Sequence, residues 1–293
     1  MPDFNPAEFN SNMEQNPLKK YFRQPKVFTT LPSKGEFYPP GVLDMPETGE
    51  LPVYAMTAKD ELIIKTPDAL LNGQATVDVI KSCIPAIKDP WKMPSVDLDA
   101  CLVAIRIATY GETLSLTTKV PVTGEERDFS VDLRQVLNQL VTPTFEHKLK
   151  INDIQVELRP LTYKEFTESN LKTFEEQRIF SLVNDEELED SEKLSRFATS
   201  FKKLTSITIN MLSKSIAKLQ VGDDEVTNQI HIEEFIDNVD KEFFKGVTDH
   251  LEEQRKKFAI EPIKVKSNDE DIKAGVPKEW EVPVTFDQSN FFE

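Results

Sequence analysis

The chain has 293 residues, room for one large domain or two modest ones, and 39% of them are hydrophobic, enough to bury real cores. Asp and Glu outnumber Lys and Arg by 51 to 35, a net charge of −16 that argues against general nucleic-acid binding and against adhesion to anionic membranes. Two cysteines make no disulfide framework, no run of about 18 apolar residues occurs, and the N-terminal residues are polar, so a reducing cytoplasm and no signal peptide are expected.

Residues 1–27 read as an arm rich in Asn, Pro and Gln, broken by Phe4, Phe9, Tyr21 and Phe22. The densest run of local signals follows, from Phe28 to Pro85. Leu31-Pro32-Ser33-Lys34-Gly35 is a turn, continued by Glu36-Phe37-Tyr38-Pro39-Pro40-Gly41 as an extended aromatic arm. Leu51–Met56 is a short strand, and Thr57–Ile64 a helical or tight-turn segment. Thr66-Pro67-Asp68 starts a further helix with Pro at its first position, and Asn72-Gly73 punctuates the stretch to Cys83. Leu62, Leu70 and Leu71 are assigned to the core of this piece, Phe37 and Tyr38 to contact with a neighbour.

Pro85, Pro90 and Pro94 force a loop around Trp91. Val96–Tyr110 is apolar on more than one face and stops at Gly111, which predicts a buried helix. Strands are expected at Thr113–Val120 and Asp128–Val131, a short helix at Leu133–Leu140, and a hairpin of His147–Ile151 with Gln155–Arg159 around Asn152-Asp153. Thr162-Tyr163-Lys164-Glu165 fits a capping box that opens a helix to about Val183. Beyond an acidic loop from Asn184 to Asp190, a long helix repeats Leu194, Phe197, Phe201, Leu204, Ile207 or Thr208, and Met211 at three-four spacing, a seam that wants a partner helix in the same chain. A strand at Ile216–Val221, a turn at Gly222-Asp223-Asp224 and two further helices carry the chain to Phe258.

The composition from Glu261 to Pro277 reads as a linker leading to an aromatic tail, Trp280–Glu293. The fold class expected is α+β, mostly helical, with short antiparallel hairpins in the first half and a helical second half. Its divisions are an N-terminal arm (1–27), an α+β domain (28–160), a helical domain (161–260), and a linker with aromatic tail (261–293).

Site chemistry is sparse. His147, His231 and His250 are each without a second His at helical metal spacing and without a nearby nucleophile. Nine glycines form no phosphate cradle, and acidic clusters such as Asp185-Glu186-Glu187 lack the alternation of a calcium loop. Cys83 and Cys101 sit in apolar contexts as small hydrophobes. No catalytic, metal or cofactor residue is therefore assigned, and the chain is expected not to be an enzyme. The partner-interface candidates are Phe28, Leu31, Phe37, Tyr38, Trp280, Phe286, Phe291 and Phe292.

Three runs carry a resemblance: Leu31-Pro32-Ser33-Lys34-Gly35-Glu36-Phe37-Tyr38-Pro39, Met56-Thr57-Ala58-Lys59-Asp60-Glu61-Leu62 continuing through Thr66-Pro67-Asp68-Ala69-Leu70-Leu71-Asn72-Gly73, and Phe286-Asp287-Gln288-Ser289-Asn290-Phe291-Phe292. The chain resembles the baseplate proteins of T-even-like contractile-tailed phages, described as baseplate hub or hub-assembly subunits. The resemblance implies a structural subunit of the tail baseplate, located in the virion and assembled in the host cytoplasm. The alternative it allows is an assembly chaperone absent from the mature particle. Partners would be other baseplate or hub subunits, or further copies of itself, with no nucleic acid, membrane or small-molecule substrate. The resemblance implies that some relatives carry cysteine pairs around Tyr110–Arg127 and before Trp280 as small zinc-ribbon-like knuckles; this sequence has none there, so it gives no reason to expect zinc.

Overall fold

The computed structural model describes residue 18 and residues 21–66, 73–182 and 190–284. Among these the chain is α+β, with nine α-helices and ten short strands paired antiparallel throughout. The first elements are β1 (Pro25–Thr29), β2 (Leu51–Tyr54), α1 (Ala58–Ile64), α2 (Gln74–Cys83) and α3 (Leu98–Tyr110). They are followed by β3 (Thr113–Lys119), β4 (Glu126–Asp132), α4 (Leu133–Val141), β5 (Lys148–Ile151) and β6 (Ile154–Leu158). The second half holds α5 (Tyr163–Leu182), α6 (Asp190–Ser215), β7 (Ile216–Val221), β8 (Asp224–Val226), α7 (Gln229–Asn238) and α8 (Lys241–Lys257). It closes with β9 (Ile263–Lys266), α9 (Asp269–Lys273) and β10 (Glu279–Val282).

The helix starts share one chemistry, a short polar side chain satisfying the free N–H groups of the first turn. Thr57 and Asp60 form a reciprocal capping box on α1, and Asn228 and Asp240 cap α7 and α8. Thr162 and Glu165 make the expected box before α5, with Glu165 N–H donating to Thr162 Oγ1 and Thr162 N–H to Glu165 Oε2. α3 begins at Leu98 rather than Val96, because Ser95–Asp97 is a tight turn that follows Pro94. Its next ten residues to Ala108 are buried except Asp99, which makes it the axis of the first core. Leu51, Val53, Ile80, Ile84, Leu133 and Leu140 pack into the same core.

The second core lies under a four-stranded sheet ordered β5-β6-β7-β8. Val156 pairs with Leu219 in register, and their face packs with Ile216, Ile232, Phe243 and Val247. α8 can approach β5 closely because it carries Gly246; a Cβ there would lie 2.8 Å from Ile151. The boundary expected near residue 160 falls between β6 and β7, which are paired strands of this sheet. The second half therefore carries a sheet as well as helices.

The stretch Glu261–Pro277, expected as a linker, holds a strand and a short helix, and the expected tail is structured up to residue 284. β9 and β10 form a hairpin, and Val276, Val282 and Val284 are buried. This hairpin docks on β3–β4 through Trp280 edge-on to Phe129, 5.5 Å between centroids, and through Arg127 gripping Asp271 with both guanidinium nitrogens. Two small hairpins with no cysteine are thus joined by an aromatic contact and an ion pair.

Candidate interaction surface

The Leu31–Tyr38 run folds as a tight knot pinned by one buried carboxylate. Ser33 donates its N–H to Asp97 Oδ1 (2.7 Å) and its hydroxyl to Asp97 Oδ2 (2.6 Å), and Tyr38 donates its phenol to Oδ2 at 2.8 Å. The knot turns twice, with Lys34 N–H on the Leu31 carbonyl and Glu36 N–H on that of Ser33. Lys34, Gly35 and Phe37 all take positive φ, and at Gly35 a Cβ would approach Met45 Cε to 2.6 Å. Leu31 and Tyr38 face the first core, whereas Phe37 packs edge-on against Phe145 of the second. The Lys34 ammonium donates to the Val141 carbonyl. One short motif therefore links both cores.

Burial pushes the Asp97 carboxyl up to about 6, against the opposing hydrogen bonds from Ser33 and Tyr38. Burial, with the Asp97 charge beside it, also pushes the Tyr38 phenol well above its ordinary range.

The second run, Met56–Leu62, centres on Asp60. Its carboxylate accepts from Thr57 N–H and from the Ser82 hydroxyl, and it meets the Arg23 guanidinium at 3.4 Å. Arg23 also reaches the carbonyls of Ala55 and Ser82. The end of the N-terminal arm is thereby clipped onto α1 and α2, and β1 begins at Pro25, inside the stretch expected to be loose.

The candidates named from sequence separate into three groups. Phe28 stands outward on β1, 58% exposed, beside a groove of about 220 Å³ edged by Lys26, Ile107, Arg134 and Leu137. Leu31 is 1% exposed, and Phe37 and Tyr38 are half-buried in contacts with the two cores of the chain. Trp280 is likewise half-buried against Phe129. Phe286, Phe291 and Phe292 lie outside the described residues, as do Leu70 and Leu71. Leu62, assigned to the core, is instead 72% exposed. It sits on the solvent side of α1, while Asp60 and Ile64 are the buried positions of that helix.

Sequence reasoning did not find Asp97 or Arg23, whose partners lie 59 to 64 and 32 to 60 residues away. It also missed Phe174 on α5. The helical hairpin α5–α6 has a polar seam: Ser169, Glu176 and Ser200 are buried, and Lys203 donates to Glu176 at 2.8 Å. Phe174, Leu194 and Phe201 remain 59%, 70% and 60% exposed. α5 is thus the in-chain partner of α6, but Leu194 and Phe201 of the α6 seam lie outside that contact.

Reactive chemistry is not assembled at any of these places. Both thiols are buried, and burial pushes Cys83 up to about 11 and Cys101 well above its usual range, the opposite of an activated nucleophile. His250 donates to the Glu146 carbonyl and His147 lies against Phe37. Among the described residues no group of three His, Cys, Asp or Glu is placed to hold a metal, and no helix is long and apolar enough to cross a membrane. A cavity of about 440 Å³ beside Trp91 is lined by Asp89, Lys92, Lys164, Thr167, Glu168 and Leu171, where Lys92 pairs with Asp89 and Lys164 with Glu168.

Residues 25–292 match the family model described as T4 bacteriophage base plate protein. No curated protein and no solved structure matches the chain.

Proposed function

The chain belongs to the T4 bacteriophage base plate protein family, and on that footing we propose that it is a structural subunit of the hub region of a contractile tail baseplate, acting through protein–protein interfaces and without catalysis. The observation that carries this reading is the reach of the family match, which takes in both cores, the Leu31–Tyr38 knot and the final aromatic run. Exposed Phe28, Phe174, Leu194 and Phe201 support it, since large apolar side chains left at the surface of a free subunit are the raw material of permanent interfaces. Its partners are other baseplate or hub subunits, met during assembly in the host cytoplasm.

Quantitative mass spectrometry of purified tails tests this. The chain is expected in a fixed ratio to the other baseplate proteins. Its absence from complete tails would overturn the structural reading and leave that of an assembly chaperone, which the solvent-facing aromatics of α5–α6 also suit. A cleared band in peptidoglycan zymography would overturn the non-catalytic reading.

A further inference from the structure

Around Ser200 the α5–α6 hairpin has a polar seam, with large apolar side chains of α6 outside it. Its inner seam holds Ser169, Ser200 and the Glu176–Lys203 pair, while Leu194 and Phe201, seven residues apart and therefore on one side of α6, face solvent. A hairpin that wanted only its own stability would place these large apolar side chains between its helices. Leu194 and Phe201 stand one heptad apart, a spacing that suits a second helix more than an extended strand.

Charge selects the occupant. From Asp190 to Ser215 the helix carries Lys193, Arg196, Lys202, Lys203 and Lys214 against Asp190 and Glu192, whereas the whole chain is at −16. Arg196 and Lys203 are engaged with Glu192 and Glu176, while Lys202 stands exposed and Lys193 partly so. A second copy docking α6 on α6 would set one basic helix against another. An acidic helix would instead find complementary charge along the edges of the apolar stripe.

We propose that the Leu194–Phe201 face of α6 is a docking surface for an acidic amphipathic helix of another protein, packed on Leu194 and Phe201 and steered by Lys193 and Lys202. That the other protein is a baseplate component rests on the function proposed above; the binding chemistry does not.

The test is fluorescence anisotropy with the full chain and two labelled four-heptad peptides, identical with Leu at the core positions but Glu-rich or Lys-rich at the flanks. The Glu-rich peptide is expected to bind at least tenfold more tightly than the Lys-rich one, and to weaken as salt rises. L194S/F201S should reduce that binding at least tenfold, with an unchanged circular dichroism spectrum. K193E/K202E, which leaves the stripe intact, should erase or invert the preference. Equal binding of both peptides, or Glu-rich binding indifferent to L194S/F201S, would overturn the proposal. So would a dimer in sedimentation that L194S/F201S abolishes, since the occupant would then be a second copy. Absence of the chain from tails would sink the structural reading while leaving these peptide results untouched.

Discussion

Ser33 gives both its backbone N–H and its hydroxyl to the carboxylate of Asp97, at 2.7 and 2.6 Å, across 64 residues of sequence. A surface-looking turn is fastened in this way to the start of the central helix. The bonds fix Leu31 in one core and aim Phe37 at the other, so the most distinctive run in the sequence is an internal clasp.

Asp97→Ala should destabilise the chain by about 2 kcal/mol near neutral pH, read from urea denaturation. It orphans three donors, of which the backbone N–H cannot turn elsewhere, at roughly 1 to 3 kcal/mol for each group left unsatisfied. Relief of a buried charge offsets part of that loss. Ser33→Ala, which removes one hydroxyl, should cost about 1 kcal/mol.

The same carboxylate gives a signature in pH. Asp97 titrates at about 6 in the folded chain, up from an ordinary 3.8. Between those values the folded state binds the proton that the unfolded state has lost. Stability from this group is therefore full below about pH 4, falls as pH rises toward 6, and is level above, a change of order 3 kcal/mol. Glu165 and Asp271, held below the usual range with help from Arg159 and Arg127, act in the opposite sense. The difference between wild type and Asp97→Asn isolates the Asp97 part: it should slope between pH 4 and 6, and a flat difference would show that Asp97 is not the buried acid described.

Trp280→Ala should lower stability by about 2 kcal/mol, a half-buried indole losing its contact with Phe129. Truncation before Glu279 should lower the melting temperature further, because β9 loses its paired strand. A melting curve unchanged by that truncation would restore the independent tail expected from composition.

Thr162→Ala should cost about 1 kcal/mol by removing the side-chain cap of α5. Because the cap stands at the base of the hairpin, amide exchange in the first turn of α5 should accelerate more than elsewhere.

Local chemistry was the most legible part of this fold. The capping box at Thr162, the Gly111 stop and the hairpin around Asn152-Asp153 each depend on neighbours within a few residues, and each stands where spacing places it. What needs distant partners was not legible. The pairing of β6 with β7 crosses a division drawn from composition, and β9 and β10 read as linker and tail because what holds their hairpin is Phe129 and Arg127 far back in the chain. The candidate surface follows the same rule. Phe37 and Tyr38 carry the signals of a contact arm, yet the acid that draws Tyr38 inward and the ring that packs on Phe37 are Asp97 and Phe145. Leu194 and Phe201 declare a need for a partner by spacing alone, and only the polar inner seam of α5–α6 shows that α5 does not meet it.

The most direct measurement is photo-crosslinking in assembled particles, with benzoylphenylalanine at Phe201 and, as an internal control, at Leu31. A part that works through its interfaces should give a Phe201 adduct with another baseplate subunit in purified baseplates, and only intrachain products from buried Leu31. Baseplates that carry the chain with Phe201 giving no adduct to any other subunit would contradict it.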